Sequence, residues 1–165
     1  MIRPASAADA DAIAYVHARG WEETYAGIVP AGVIAAVNRR RPALWRGRTD
    51  WAGAHVAEDG EGVCGFGLAG PQREAFLRQP GEIWSLYVLD RAKGRGVGRA
   101  LMVAMAAHLA AREAAAFTLW VMDGNVRARG FYERLGGIPV AQKRLRRAEG
   151  WLLAETAYAW DGPLA

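Results

Sequence analysis

The chain has 165 residues, of which 21 are Lys or Arg and 17 are Asp or Glu, giving a formal net charge of +4. Hydrophobic residues make up 52% of it and charged residues 23%, which excludes a disordered chain and is typical of one globular domain over residues 1–165. The single cysteine, Cys64, excludes an internal disulfide and a multi-cysteine metal site. The three histidines lie far apart in the sequence, so no metal is expected.

Membrane and nucleic-acid partners are not expected. The longest apolar run, residues 100–107, is far shorter than the roughly 20 residues that a membrane-spanning helix needs. Residues 1–16 include Asp9 and Asp11 and lack a continuous apolar stretch, so we expect no signal peptide and a cytoplasmic protein. The run Arg39-Arg40-Arg41 is interpreted as a solvated cluster at a helix end rather than a nucleic-acid contact. The oligomeric state stays open, a homodimer included.

The predicted elements form a mixed α/β (α+β) sheet flanked by helices. Ser6 is predicted to cap the first helix and Gly20 to end it, while Asn125 caps the last helix and Gly136 follows it. The two strands on either side of the helix at 97–113 are predicted to pair in parallel. In chain order, the elements are strand 2–4, helices 7–19, 30–37 and 43–48, strands 52–58, 63–70 and 82–89, helix 97–113, strand 117–122, helix 126–135, and strands 138–145 and 151–160.

A glycine-rich turn between a strand and a helix is the most informative stretch. Gly94, Gly96 and Gly98 allow backbone N–H groups to converge at the start of the helix, where the helix dipole favours an anion. Three cations surround the turn: Lys93, Arg95 and Arg99. This pattern predicts a pyrophosphate site, but it fits neither the P-loop nor the dinucleotide-binding fingerprint. The glycines alone are explained equally well by a flexible basic loop before a glycine-capped helix.

Three motifs in order resemble the GNAT N-acetyltransferases. The run Lys93-Gly94-Arg95-Gly96-Val97-Gly98 is similar to that family's Q/R-x-x-G-x-G/A loop, with Lys in place of the usual Gln or Arg. Leu86-Tyr87-Val88 resembles the end of the family's fourth strand, and residues 125–136 resemble its next helix motif, apart from a glycine at Gly130. The resemblance implies a central, mostly antiparallel sheet with one parallel, splayed strand pair.

This resemblance also implies acetyl-CoA as the co-substrate, with its pantetheine arm between the two splayed strands. A backbone N–H near Leu86 would polarise the thioester carbonyl. Glu82 is the candidate general base and Tyr132 the candidate general acid for the leaving thiolate. The alternatives are a solvated carboxylate for Glu82, a core tyrosine packed on Phe131 for Tyr132, and a plain helix cap for Asn125. The implied cofactor-binding residues are Leu86, Tyr87, Val88, Lys93, Gly94, Arg95, Gly96, Val97, Gly98, Arg99, Asn125 and Tyr132.

The acceptor site is predicted from an aromatic segment near the first helix. Trp21 and Tyr25 are four residues apart and share a helix face, and Glu22 or Glu23 could attract a cationic amine. Trp84 is expected to join them; core packing of the same aromatic residues is the equal alternative. A small amine such as a polyamine, amino acid or aminoglycoside-like compound is the first choice, and a protein N-terminus or lysine the second. A non-catalytic acyl-CoA-binding module is the other function class that the motifs allow.

Overall fold

One seven-stranded sheet organises the protein, whose computed structural model describes residues 1–146, 151–162 and 164. The strands are β1 (Ile2–Pro4), β2 (Ala54–Asp59), β3 (Gly62–Pro71), β4 (Gly81–Val88), β5 (Phe117–Met122), β6 (Ile138–Arg146) and β7 (Leu152–Trp160). They lie in the order β1-β2-β3-β4-β5-β7-β6. Neighbours are antiparallel except β4 and β5, which are parallel, so the predicted mixed sheet with one parallel pair is confirmed.

Within the described residues, five α-helices pack around the sheet: α1 (Ala10–Tyr25), α2 (Ala31–Asn38), α3 (Arg41–Arg46), α4 (Val97–Ala110) and α5 (Val126–Arg134). The third helix begins at Arg41 rather than at residue 43, because Pro42 is accommodated in its first turn. The fourth ends three residues before the predicted end, and Glu113 beyond it has a left-handed φ of 60°. Within the described ranges, no helix is both long and apolar enough to cross a membrane. The turn predicted around Ala148, Glu149 and Gly150 lies outside the described residues.

The prediction that Gly20 ends the first helix is wrong, because α1 continues to Tyr25. The glycine serves close packing instead. A Cβ at Gly20 would lie 3.3 Å from the Cβ of Tyr87, so α1 approaches β4 more closely than a larger residue would allow. The extra turn and a half brings Trp21 and Tyr25 onto the helix, next to the middle of the sheet.

The sheet has an apolar core on each face. Leu101, Met102 and Met105 of α4 are fully buried on one face, and Ile13 and Val16 of α1 are buried on the other. Side chains of β4 alternate between these cores, as expected for neighbouring residues of a strand. A third cluster, made of Tyr25, Val29, Ile34, Met122 and Leu153, joins the end of α1 and α2 to β5 and β7.

A bulge in β4 opens the middle of the sheet. Strand β3 pairs Leu68 with Ser85 and Ala69 with Ile83, which leaves Trp84 as the extra residue. The Trp84 indole packs directly on Gly70, where a Cβ would come within 2.3 Å of the ring. In the described part of the chain, β4 and β5 pair over three positions only, ending at Ile83 and Leu119. Beyond them the two parallel strands diverge.

Candidate active site

A cleft of about 550 Å³ lies where β4 and β5 diverge. Its walls are the backbone and side chains of Trp84 to Val88 on one strand and of Leu119 to Val121 on the other. We call the side formed by residues 93–99 with α5 the loop end. The aromatic end is the side lined by Tyr25 and Tyr87, together with Trp21, which contacts both, and Arg41, which lies over the Trp21 ring. The cleft therefore joins the two sites that the sequence predicts separately.

The loop end has the backbone geometry of an anion site. Gly94 and Gly96 have φ values of 76° and 79°, a left-handed conformation that glycine adopts without strain. Gly96 directly precedes the first residue of α4, so the N–H groups that open the first helical turn lie beside the cleft. Gly98 lets the Phe131 ring approach, since a Cβ there would lie 3.3 Å from it. This contact fixes α4 against α5.

Cations line the loop end from two helices. The Lys93 ammonium makes an ion pair with Asp90 at 2.5 Å, and Arg99 also lines the cleft. Arg95, by contrast, is exposed and is not part of the cleft wall. Arg127 and Arg134 of α5 also line the cleft, although neither was predicted as a site residue. Their seven-residue spacing, which puts both on one helix face, was the available signal.

Glu23 connects the two ends of the cleft. One carboxylate oxygen accepts a hydrogen bond from the Asp90 backbone N–H at 2.8 Å, and the other accepts from Arg19 Nε at 3.0 Å. The role predicted for Glu23 from the sequence was attraction of a cationic amine. In the structure it ties the last turn of α1 to the start of the glycine loop.

Tyr132 lies on α5 and lines the cleft, although only 7% of it is exposed. Its ring contacts Phe131 at 5.3 Å and Tyr158 at 6.1 Å between centroids. It is thus a packed core residue that also borders the cleft, and its role as the general acid stays a prediction. Burial raises the pKa of its hydroxyl above the usual value, so the group keeps its proton at neutral pH.

Asn125 is the N-cap of α5, as predicted. Its side-chain oxygen accepts a hydrogen bond from the Ala128 N–H at 3.1 Å. The same side chain lines the cleft and interacts with the Tyr25 hydroxyl, slightly offsetting the larger rise in the Tyr25 pKa that burial causes. Asn125 therefore links α5 to the aromatic end.

Glu82 is 1% exposed and is not part of the cleft wall. Its carboxylate accepts three hydrogen bonds from Arg73: from the backbone N–H at 3.0 Å, from Nε at 3.1 Å and from Nη2 at 2.5 Å. The Arg73 guanidinium also stacks over Trp84, at 5.3 Å from the ring centroid. Trp84 itself lines the cleft, so the ion pair lies directly behind the wall rather than in it.

The aromatic end is organised around the Tyr87 hydroxyl. Trp21 Nε1 donates a hydrogen bond to it at 2.8 Å, and the Trp21 and Tyr25 rings meet edge to face at 4.9 Å. The shared helix face of Trp21 and Tyr25 is confirmed; their substrate role stays a prediction. Tyr25, Tyr87 and Trp84 line the cleft, whereas Trp21 and the exposed Glu22 are not part of its wall.

The three consecutive arginines do not behave alike. Arg39 and Arg40 are exposed, as expected of a solvated cluster. The prediction is wrong for Arg41, which is half-buried with its guanidinium over the Trp21 ring, 5.3 Å from the centroid. Its Nε atom is buried and has no hydrogen-bond partner in the described structure.

Comparison with known proteins agrees with this architecture. The chain matches the model of the acetyltransferase (GNAT) family over residues 17–137. It belongs to that family. The chain is 30% identical over 161 residues to YuaI, an uncharacterized N-acetyltransferase of Bacillus subtilis. The alignment covers 96% of this chain and 91% of the relative. Family membership and this relative make the protein an acetyltransferase.

Solved structures share the fold at lower identity. The PaiA N-acetyltransferase of Thermoplasma acidophilum, solved with coenzyme A, superposes with a TM-score of 0.69 at 17% identity, over 94% of this chain and 96% of that one. The protein YncA of Salmonella typhimurium, solved with its cofactor acetyl-CoA, gives a TM-score of 0.66 at 22% identity. The superposition covers 97% of this chain and 92% of that one. At these identities the likeness establishes the fold alone.

Proposed function

We propose that the protein transfers an acetyl group from acetyl-CoA to the primary amine of a small molecule, by direct attack within a ternary complex. The observation that carries this proposal is the cleft between the diverging strands, which has an anion site at one end and aromatic side chains at the other. The coenzyme A and acetyl-CoA complexes of the Thermoplasma and Salmonella proteins support the choice of donor.

The loop end fits the pyrophosphate of coenzyme A. N–H groups at Gly96, Val97 and Gly98 would donate to phosphate oxygens, and no Cβ stands in front of the two glycines. Lys93 would exchange its ion pair with Asp90 for the phosphate, while Arg127 and Arg134 add charge from α5. The pantetheine arm would then pair with the edge of β4 that faces away from β3, near Leu86 and Val88.

Acetyl transfer needs an oxyanion donor and an acid in this cleft. A β4 backbone N–H near Leu86 would donate to the thioester oxygen as it gains negative charge when the amine nitrogen attacks. As the carbon–sulfur bond breaks, Tyr132 would donate its hydroxyl proton to the leaving sulfur. The hydroxyl regains a proton from the nitrogen of the new amide through solvent. A tyrosine whose pKa is raised by burial holds this proton until the thiolate forms.

Glu82 remains the proposed base, acting through water. The acceptor arrives as an ammonium group, which must lose one proton before its nitrogen can attack. Three hydrogen bonds from Arg73 hold the carboxylate behind Trp84, so the proton would travel along water that passes this arginine. The Arg73 side chain is 58% exposed, so that side of the ion pair is open to solvent.

The test is a panel of primary amines offered with acetyl-CoA, with the free thiol of released coenzyme A as the readout. We expect at least one small amine to release thiol in proportion to acetylated product identified by mass. Reactions without protein measure background hydrolysis. Tight binding of acetyl-CoA with no turnover on any amine would contradict the enzyme and favour a non-catalytic acyl-CoA-binding module.

A further inference from the structure

The cleft begins at a point that we call the apex, where β4 and β5 start to diverge. In the described chain the two strands pair up to Ile83 and Leu119. The next residues, Trp84 and Trp120, both line the cleft, so one indole stands on each side of the apex. Strand β4 runs from the apex toward the loop end. With the pyrophosphate at the loop end and the thioester near Leu86, an acceptor that meets the thioester carbon would lie beside the apex.

The charged side chains of the cleft wall lie toward the loop end. Those of the described wall are Glu23, Asp90, Lys93, Arg99, Arg127 and Arg134. Glu23, which comes from the first helix, is held by the Asp90 backbone at the start of the loop. The rest of the described wall, made of the apex with Tyr25 and Tyr87, contains no charged side chain. A second charge on the acceptor would find no partner there, and an unpaired charge that leaves water is costly.

The two indoles present carbon rather than polar atoms to the cleft. Trp84 Nε1 donates a hydrogen bond to the Pro71 carbonyl at 3.1 Å, and Trp120 Nε1 is buried away from solvent. The nearby Tyr87 hydroxyl already accepts a hydrogen bond from Trp21 at 2.8 Å. The apex therefore offers an acceptor apolar contact, which favours a part of the molecule that gains by leaving water.

Cations of the protein already lie over both indoles. The Arg73 guanidinium is 5.3 Å from the Trp84 ring centroid, and the Lys143 ammonium is 4.0 Å from a ring centroid of Trp120. Neither cation belongs to the described cleft wall. Carboxylates pair with Arg73 once and with Lys143 twice; they are Glu82, Glu74 and Glu155. A further cation on these rings would be repelled, while the second carboxylate at Lys143 matches the single ammonium group of a monoamine.

We propose that the acceptor is a monoamine whose remaining part is apolar, such as an arylalkylamine, and that this part packs between Trp84 and Trp120. An aromatic ring suits these walls, because aromatic pairs gain from their geometry beyond the area that they bury. Tyr25 and Tyr87 of the aromatic end continue the same surface. This proposal rests on the proposed function and narrows its substrate class, placing arylalkylamines above polyamines and amino acids.

The first experiment compares matched acceptors on the wild-type protein. Hexylamine and cadaverine are equal in size and differ only in a terminal methyl against a terminal ammonium group. Phenethylamine and phenylalanine differ by one carboxylate. We expect kcat/KM to favour the apolar member of each pair by roughly 10- to 100-fold, because a buried charge without a partner loses its hydration. Equal rates within the pairs, or faster acetylation of cadaverine or phenylalanine, would overturn the proposal.

The second experiment assigns the preference to the apex. Trp120→Gln removes one apolar wall, so the preference for phenethylamine over ethylamine should fall by roughly 10-fold, mainly through KM. Trp120→Phe, which keeps an aromatic ring, should retain most of the preference. Trp51→Gln is the matched control, because Trp51 is another half-buried tryptophan and is not part of the described cleft wall. An unchanged preference in a folded Trp120→Gln protein would overturn the assignment.

Failure of this proposal is distinguishable from failure of the proposed function. If no amine of any kind releases coenzyme A, the enzyme assignment fails and this proposal fails with it. If cadaverine and phenylalanine are acetylated as fast as their apolar counterparts, only the apolar acceptor site fails. The comparison of acceptors needs no variant, so it decides the substrate class even if Trp120→Gln does not fold.

Discussion

The two ends of the cleft are built in different ways. The loop end comes from one continuous segment, in which β4, the glycine turn, α4, β5 and α5 follow each other from Gly81 to Arg134. The aromatic end is assembled from α1, α3 and β4, whose side chains meet only after folding. A site made by consecutive elements leaves a motif in the sequence, whereas a site made by distant ones does not. We therefore expect that few substitutions at the loop end preserve its function, and that the residues of the aromatic end determine which acceptor this protein uses.

The largest loss of activity at the loop end is expected from Tyr132→Phe. Loss of the hydroxyl removes the proton for the leaving sulfur, so kcat should fall by roughly 10²- to 10⁴-fold while the affinity for coenzyme A changes little. Steady-state kinetics and calorimetry measure the two effects. Tyr15→Phe is the control, since Tyr15 is 63% exposed. Wild-type turnover in a folded Tyr132→Phe protein would show that Tyr132 contributes to packing and is not the general acid.

Glu82→Gln tests the residue that lies behind the cleft wall. It keeps the shape of the side chain and removes its basicity, so kcat/KM for an amine should fall by about 100-fold and the acidic limb of the pH–rate profile should disappear. Acetyl-CoA affinity should stay nearly constant.

Arg73→Gln is the matched variant, because it breaks the same ion pair and leaves the carboxylate in place. We expect it to retain the acidic limb. If both variants lower the rate equally and both keep that limb, the pair supports the wall structurally and Glu82 does not take the proton.

Gly96→Asp should weaken coenzyme A binding by roughly 10- to 100-fold, from a wild-type affinity of micromolar order. The substitution sets a carboxylate where phosphate would bind and strains a residue whose φ is 79°. Gly60→Asp in the β2–β3 turn is the control, because a Cβ there meets open space and its φ is not left-handed. Unchanged calorimetric binding in the Gly96 variant would move the pyrophosphate elsewhere.

The smallest effect concerns the support of the aromatic end. His17 accepts a hydrogen bond from Trp45 Nε1 at 3.0 Å and packs on Tyr87 at 4.8 Å, and burial lowers its pKa from 6.5 to about 3. The unfolded chain therefore binds the extra proton between these values, and stability falls as the pH drops below 6.5. At pH 5 this contributes a loss of about 2 kcal/mol relative to pH 7.5.

Denaturant unfolding at the two pH values measures this loss. His17→Gln should be less stable overall but should show a flatter pH dependence, whereas His108→Gln should keep most of the slope, since His108 is less buried. An equal slope in His17→Gln and the wild-type protein would contradict the assignment.

Local patterns predicted most of the fold. The boundaries of β5 agree with the sequence prediction, because an apolar run between turn residues leaves little choice, and Asn125 marks the start of α5 by its own hydrogen bond. The end of α1 was predicted wrongly, because a glycine such as Gly20 does not end a helix where another element packs closely against it. Its contact with Tyr87 joins residues 67 positions apart and leaves no trace in the local pattern.

The same limit applies to the site. The glycine loop was found because its glycines and cations are adjacent. The Arg73–Glu82 ion pair was missed because the chain between β3 and β4 has to fold back to form it. The prediction for Arg41 was wrong because Arg39 and Arg40 before it are exposed, while the Trp21 ring that it lies over comes from another helix.

The divergence of β4 from β5 has a consequence for hydrogen exchange. In an ordinary sheet the slowest amides belong to the central strands and the fastest to the edges. Here β4 is central, yet the amides between Ser85 and Val88 that point away from β3 have no strand to donate to among the described residues. They should exchange as fast as those of an outer strand, and a molecule seated in the gap should slow them selectively. The exchange rates of these β4 amides therefore report whether the cleft is occupied, and they can be measured for each amide without a chemical label.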